Sequence, residues 1–144
     1  MPFYYVDTSA LVKRYHTESG SERIDQLFSD PTSTFLAANI ALTEITSALD
    51  RKVQESLLTR DALNTVLAAI ARDLLEDFWL IEIERAHILR SQVLILRHHL
   101  RALDALHLSV LLSLQDLAPV LVSADQKLLE AARLERFTVL DPTL

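Results

Sequence analysis

The 144-residue sequence has no cysteine, one glycine and four prolines. Without thiols there can be neither a disulfide framework nor a thiolate metal site, which suits a reducing compartment and sets the expectation of a cytoplasmic protein. The lone Gly20 cannot furnish a phosphate-cradling loop or a dinucleotide-binding fingerprint, and no Gly-x-Ser-x-Gly elbow exists for a serine nucleophile. Scarce proline and glycine leave little chain for linkers or low-complexity tails. No charged n-region leads into an apolar segment near Met1, and no uncharged run approaches the roughly 20 residues needed to cross a bilayer. A soluble protein without membrane association is expected, folded as a single domain over residues 1–144.

Net positive charge is also missing: 14 Lys and Arg against 20 Asp and Glu give −6. Nucleic-acid binding usually leaves a basic footprint, so this balance first argues against such a partner. Metal ions change the arithmetic. If four carboxylates held two divalent cations, the chain would move from −6 to about −2.

Half the residues are apolar, and they fall into two patterns. Runs rich in β-branched and aromatic residues, at Phe3–Val6, Thr34–Ala37, Phe78–Ile83, Val120–Val122 and Phe137–Leu140, predict short strands, most of them buried on both faces. Helical spacing predicts helices at Ser9–His16, Ser21–Phe28, Ala41–Gln54, Arg60–Glu76, Ala86–His98, Ala102–Gln115 and Lys127–Leu134. Alternation of the two predicts an α/β fold with a parallel sheet. Asp30-Pro31 breaks the second helix, Asn39 is placed to cap the third and Thr59 the fourth, and Pro119 opens the fourth strand. The third and fourth helices follow closely enough to form a hairpin projecting from the sheet. Their surplus of leucines, Leu57, Leu58, Leu63, Leu67, Leu74 and Leu75 among them, forms either a partner surface or simply the cover of the sheet.

Four acidic residues stand out by position. Asp7 follows the first strand and Asp125 comes shortly after the fourth, each just before a helix; either could be an ordinary helix cap. Glu44 lies one turn into the third helix, where a solvated glutamate is common. Asp104 sits in Leu100–Leu112, apolar almost all round, so a carboxylate there needs a partner: Arg101, His107 or a metal. Asp7, Glu44 and Asp125 share one further property, since each comes shortly after a strand's carboxyl end, and a parallel sheet collects those ends along one edge. A carboxylate-only site suits a hard cation, Mg²⁺ or Mn²⁺, and five histidines without ligand spacing make zinc a poor match.

At these residues the chain resembles the PIN-domain ribonucleases, particularly the VapC-type toxins of bacterial and archaeal toxin–antitoxin pairs. The resemblance rests on Tyr5-Val6-Asp7-Thr8-Ser9-Ala10-Leu11, Thr43-Glu44-Ile45, Leu103-Asp104-Ala105-Leu106-His107-Leu108 and Val122-Ser123-Ala124-Asp125, and spans nearly the whole chain. It implies a three-layer α/β/α sandwich around a mainly parallel sheet. It also implies an active site of Asp7, Glu44, Asp104 and Asp125, an RNA substrate, a homodimer and a cognate antitoxin. Two features depart from the family pattern: Ser123 stands where threonine is frequent, and the chain is unusually acidic.

The implied activity is metal-dependent hydrolysis of RNA phosphodiester bonds, with Asp7 and Asp104 binding the principal ion and Asp125 and Glu44 completing the site or orienting water. Thr8, Ser9 and Ser123 can donate to carboxylates or phosphate, while Lys13, Arg101 and Lys127 could hold the RNA backbone or merely form a solvated face. Two rivals remain. Arg101-x5-His107 fits the loose spacing of the metal-independent HEPN ribonucleases, although those are all-helical. A receiver-like Mg²⁺-binding signalling or interaction module also uses acids at strand ends, but would need paired acids at the first strand and a lysine at the end of a late strand, and neither late strand ends in lysine.

Overall fold

A computed structural model describes all 144 residues. The chain runs β1 (Phe3–Val6), α1 (Thr8–Tyr15), α2 (Ser21–Phe28), β2 (Thr34–Ala38), α3 (Ala41–Gln54), α4 (Arg60–Glu76), β3 (Phe78–Ile81), α5 (Arg85–His98), α6 (Ala102–Ser113), a 3₁₀ turn (Gln115–Leu117), β4 (Val120–Val122), α7 (Gln126–Leu134) and β5 (Val139–Leu140). The strands form one sheet in the order β3-β2-β1-β4-β5, and every neighbouring pair is parallel.

Strand alternation divides the apolar residues between two cores. Val6, Phe35, Ala37 and Val122 face one side, where Leu11, Ile24, Ile45, Leu49 and Ile70 of α1 to α4 cover them. Tyr5, Leu36 and Leu121 face the other, against Leu94, Leu108, Leu111 and Leu128 of α5 to α7. The result is the expected α/β/α sandwich. Burial on both faces holds for the inner strands, but β3 lies at the sheet's edge and leaves Trp79 57% exposed.

Three details correct the sequence reading. The α3–α4 pair does not project: Leu63, Ile70 and Leu74 are buried in the first core and Leu58, Val66 and Leu67 pack against it, so the hairpin covers the sheet, leaving Leu57 and Leu75 outside. Asn39 does not cap α3, whose N-cap position is Ile40 without a side-chain bond; its carboxamide instead accepts from the Ile83 amide at 3.4 Å, just past the point where β3 ends. β5 is shorter than the apolar run, because the Phe137 amide is spent on the Ala132 carbonyl, closing α7. Thr59 does cap α4, accepting from the Ala62 amide at 3.1 Å.

The order of strands fixes where a ligand would bind. From β1 the chain steps outward through β2 and β3, then crosses back to add β4 and β5 on β1's other side. A crevice opens at the carboxyl ends of β1 and β4, where successive connections diverge. No helix is long and apolar enough to cross a membrane.

Candidate active site at the carboxyl edge of the sheet

Asp7 leaves β1 with its amide still bonded to the Val122 carbonyl of β4 at 3.1 Å. It does cap α1, but capping uses only part of its carboxylate. Oδ1 accepts from the Ala10 amide at 3.2 Å and the Ser9 hydroxyl at 2.7 Å, and Oδ2 accepts from the Ser123 hydroxyl at 2.9 Å. Ser9 Oγ also accepts from the Ala124 amide, and Ser123 Oγ from the Asp125 amide, so two hydroxyls tie the loops after β1 and β4 together. Asp7 is only 4% exposed. Burial raises its pKa above the usual carboxylate value, against the opposing pull of His107 and the donors around it.

Glu44 reaches toward Asp7's side of the crevice from the first turn of α3. Its Oε1 accepts from Thr8 Oγ1 at 3.1 Å and from His107 Nε2 at 2.6 Å. The other ring nitrogen of His107 meets the Tyr5 hydroxyl at 2.8 Å, within the second core. Burial alone would depress the His107 pKa, but Glu44, with Asp7 and Asp104 nearby, outweighs it and the value is raised. Tyr5 is pushed well above its ordinary value by burial, then by the charges of Asp7 and Glu44.

Asp104 and Asp125 are held differently. Asp104 lies in the first turn of α6, half-buried beside the exposed Leu103, so that turn opens on the crevice although the rest of the helix is enclosed. Asp125 caps α7 through Oδ1, which accepts from the Leu128 amide at 3.1 Å. Arg101 bridges the pair, with Nε 3.5 Å from Asp104 Oδ2 and a terminal nitrogen 3.4 Å from Asp125 Oδ2. Partial burial and then the Asp125 charge raise the Asp104 pKa, while Arg101 opposes both. Of the two partners within the helix that the sequence offered Asp104, Arg101 forms the pair; the bonds of His107 go to Glu44 and Tyr5.

All four carboxylates line one cleft of about 690 Å³, together with Thr8, Ser9, Lys13 and Arg101. Ser123 lies behind that surface, completely buried against Asp7, and Lys127 is exposed outside the lining. The lining also holds Lys13 and Lys52, which share Glu18 at 3.0 and 3.2 Å. The stem of Lys13 runs beside Gly20, whose φ of +95° suits glycine; a Cβ there would stand 3.1 Å from both Lys13 Cδ and the Pro142 carbonyl oxygen.

As the side chains stand, no three His, Asp or Glu groups enclose a common point. The donor chemistry nevertheless fits Mg²⁺ or Mn²⁺, since carboxylate oxygens of Asp7, Asp104, Asp125 and Glu44 face one cavity and the chain has no thiolates. A metal-independent Arg/His pair fits poorly. Arg101 and His107 both line the cleft, but both ring nitrogens of His107 are already engaged, by Glu44 and Tyr5, and the Arg101 guanidinium is engaged by Asp104 and Asp125. The Tyr5–His107–Glu44 chain escaped the sequence reading, which placed His107 beside Asp104; the available signal was a histidine within an otherwise apolar helix, a group that burial obliges to find polar partners.

Comparison with known proteins agrees with this architecture. The family model described as PIN domain matches residues 4–134. Ribonuclease VapC45 of Mycobacterium tuberculosis is 32% identical over 138 residues, covering 89% of this chain and 88% of that protein. Among solved structures, Mycobacterium tuberculosis VapC20, described as a Sarcin-Ricin loop cleaving toxin, superposes with a TM-score of 0.69 at 16% identity, covering 89% of this chain and 94% of the other. A toxin–antitoxin complex from Klebsiella pneumoniae gives 0.62 at 19% identity, covering 96% and 97%. With a family match over nearly its full length and a fold to suit, the chain belongs to the PIN-domain family.

Proposed function

We propose that this chain, as one nuclease domain over residues 1–144, is a divalent-metal-dependent endoribonuclease and the toxin of a type II toxin–antitoxin pair. The observation that carries the reading is the convergence of Asp7, Glu44, Asp104 and Asp125, from four separate elements, on one cleft at the switch point of a parallel sheet. Relatives named as VapC ribonucleases, and neighbours solved as toxin–antitoxin complexes, support the substrate class and the partner.

Asp7 and Asp104 would hold the principal Mg²⁺ or Mn²⁺, with Asp125 and Glu44 completing the site. The ion, when bound, supplies positive charge against the scissile phosphate and makes nearby water more acidic. Ser9, Ser123 and the Ala10 amide fix the Asp7 carboxylate in place, and Thr8 and His107 do the same for Glu44, which on this reading would complete the metal site or instead orient the attacking water. Lys13, Arg51, Lys52 and Arg101 are the cations of the cleft lining, and the exposed Arg51 and Arg101 are the freest to meet backbone phosphates, since Lys13 is buried against Glu18 and the hydroxyl protons of Thr8 and Ser9 are given to Glu44 and Asp7. This reading places the protein in the cytoplasm, with an antitoxin and a second copy of the chain as protein partners. Apolar side chains left outside both cores, including Leu89, Val93 and Leu96 of α5, are available for such contacts.

The test is cleavage of structured and single-stranded RNA across a titration of Mg²⁺ and Mn²⁺, with and without excess chelator. Cleavage that needs the ion supports the assignment, and cleavage undiminished by chelator overturns it.

A further inference from the structure

The buried chain from Tyr5 through His107 to Glu44 has a direction. A carboxylate only accepts, so the 2.6 Å contact requires that His107 Nε2 carry a proton and donate it to Glu44 Oε1. In neutral imidazole, Nδ1 is then the acceptor and the Tyr5 hydroxyl donates to it; in imidazolium, Nδ1–H donates to the Tyr5 oxygen. Either state gives Glu44 the same donor. Thr8 Oγ1 also donates to Oε1. Both restraints therefore fall on one oxygen, and Oε2 takes no hydrogen bond from the protein.

Burial makes this arrangement stiff. His107 is 3% exposed and Tyr5 is fully enclosed. The two rings meet nearly edge to face, with centroids 5.9 Å apart and planes at 73°. Tyr5 comes from the central strand, so the imidazole is referenced to the most enclosed part of the sheet, the same strand that delivers Asp7 two residues later. Glu44, on a different layer of the sandwich, is thereby set relative to Asp7 through the sheet.

We propose that His107 is a positioning residue for Glu44: braced by Tyr5, it pins Oε1 and leaves Oε2 as the oxygen that Glu44 presents to the cleft. This rests on the nuclease reading of that cleft. Working through one fixed oxygen suits a group that orients water, because a freely rotating carboxylate would offer its lone pairs in many directions.

His107→Gln and His107→Asn separate the two ring nitrogens. A glutamine amide can place its N–H near the position of Nε2 and still donate to Glu44, whereas asparagine is too short. With Mn²⁺ and an RNA that wild type cleaves, the asparagine variant should lose about 10- to 100-fold in kcat with KM little changed. The glutamine variant should recover most of that loss, and both should keep wild-type secondary structure. Equal kcat in all three proteins, or equal losses in both variants, would overturn the proposal. Histidine ¹H–¹⁵N spectra of the metal-free protein supply a readout independent of turnover: His107 Nε2–H should be protected and shifted in wild type and lose that signature in Glu44→Ala. An unprotected Nε2–H in wild type would refute the pinning even if RNA is cut. A pinned imidazole in a protein that no metal activates would sink the nuclease reading instead, and with it the catalytic purpose assigned to His107.

Discussion

The two halves of the acidic cleft are built on opposite principles. On the Asp7–Glu44 side each carboxylate is immobilised by fully or partly buried donors: Ser9, Ser123 and the Ala10 amide hold Asp7, and Thr8 and the buried His107 imidazole hold Glu44. On the Asp104–Asp125 side the link is a single guanidinium, 82% exposed, spanning two carboxylates at 3.5 and 3.4 Å. One half is preorganised by the core; in the other Asp125 keeps its cap bond to the Leu128 amide, but the tie between Asp125 and Asp104 is a side chain that water can release. An exposed ion pair contributes about 0–1 kcal/mol, whereas buried partners restrict geometry whatever their net energy. The cleft therefore has a fixed reference side and an adjustable side, and three substitutions or conditions probe that asymmetry.

The largest effect is expected at the rigid half. Asp7→Asn should abolish metal-dependent cleavage while preserving the fold, since asparagine keeps the volume and remains a good helix cap. Because burial disfavours the Asp7 charge, removing it should raise the melting temperature of the metal-free protein, each kcal/mol gained showing as about 2–4 °C for a chain of this size. Loss of activity with a higher Tm would mark a residue kept for chemistry at the expense of stability. Wild-type turnover would contradict its assigned role.

At the adjustable half the changes should be smaller. Arg101→Ala removes the positive charge that a cation must displace from Asp104 and Asp125, so Mn²⁺ binding measured by calorimetry should tighten by about 2- to 5-fold, in line with an exposed ion pair. KM for RNA should rise in the same variant, because the guanidinium is then missing from the cleft wall. Weaker Mn²⁺ binding would mean that Arg101 organises the carboxylates rather than competing with metal.

The smallest effect is a pH dependence of stability set by His107 of the rigid half. His107 has a raised pKa in the folded protein, so the native state holds its proton more tightly than the unfolded chain. Its stabilisation is fully present below the ordinary value of 6.5 and is lost as pH rises through the raised value. Melting of metal-free protein should show Tm falling across that interval, and Glu44→Gln should flatten the slope. An unchanged slope in that variant would detach the shift from Glu44.

Much of this was legible in the sequence, for a definable reason. Tyr5-Val6-Asp7 and Val122-Ser123-Ala124-Asp125 each announce a strand end followed by a cap, and parallel topology brings such ends together without knowledge of any contact. Local pattern reports which way a residue faces on its own element. It does not report which residue of another element it meets. Glu44 and His107 are 63 positions apart and Tyr5 and His107 are 102 apart, so the buried relay needed coordinates. Asn39 illustrates the same limit: a good cap by position, it is taken by a loop amide 44 residues later. The hairpin leucines were ambiguous because burial against a sheet and burial against a partner leave the same mark on sequence.

The chain's sole glycine marks a close packing point beside the cleft. Any side chain at position 20 would press on both the Lys13 stem and the Pro142 carbonyl, so a bare backbone is what lets α1 and the last residues of the chain close on the same turn. A substitution there, strained already by the positive φ, would reach the Lys13–Glu18 pair on the cleft lining before it touched any of the four carboxylates.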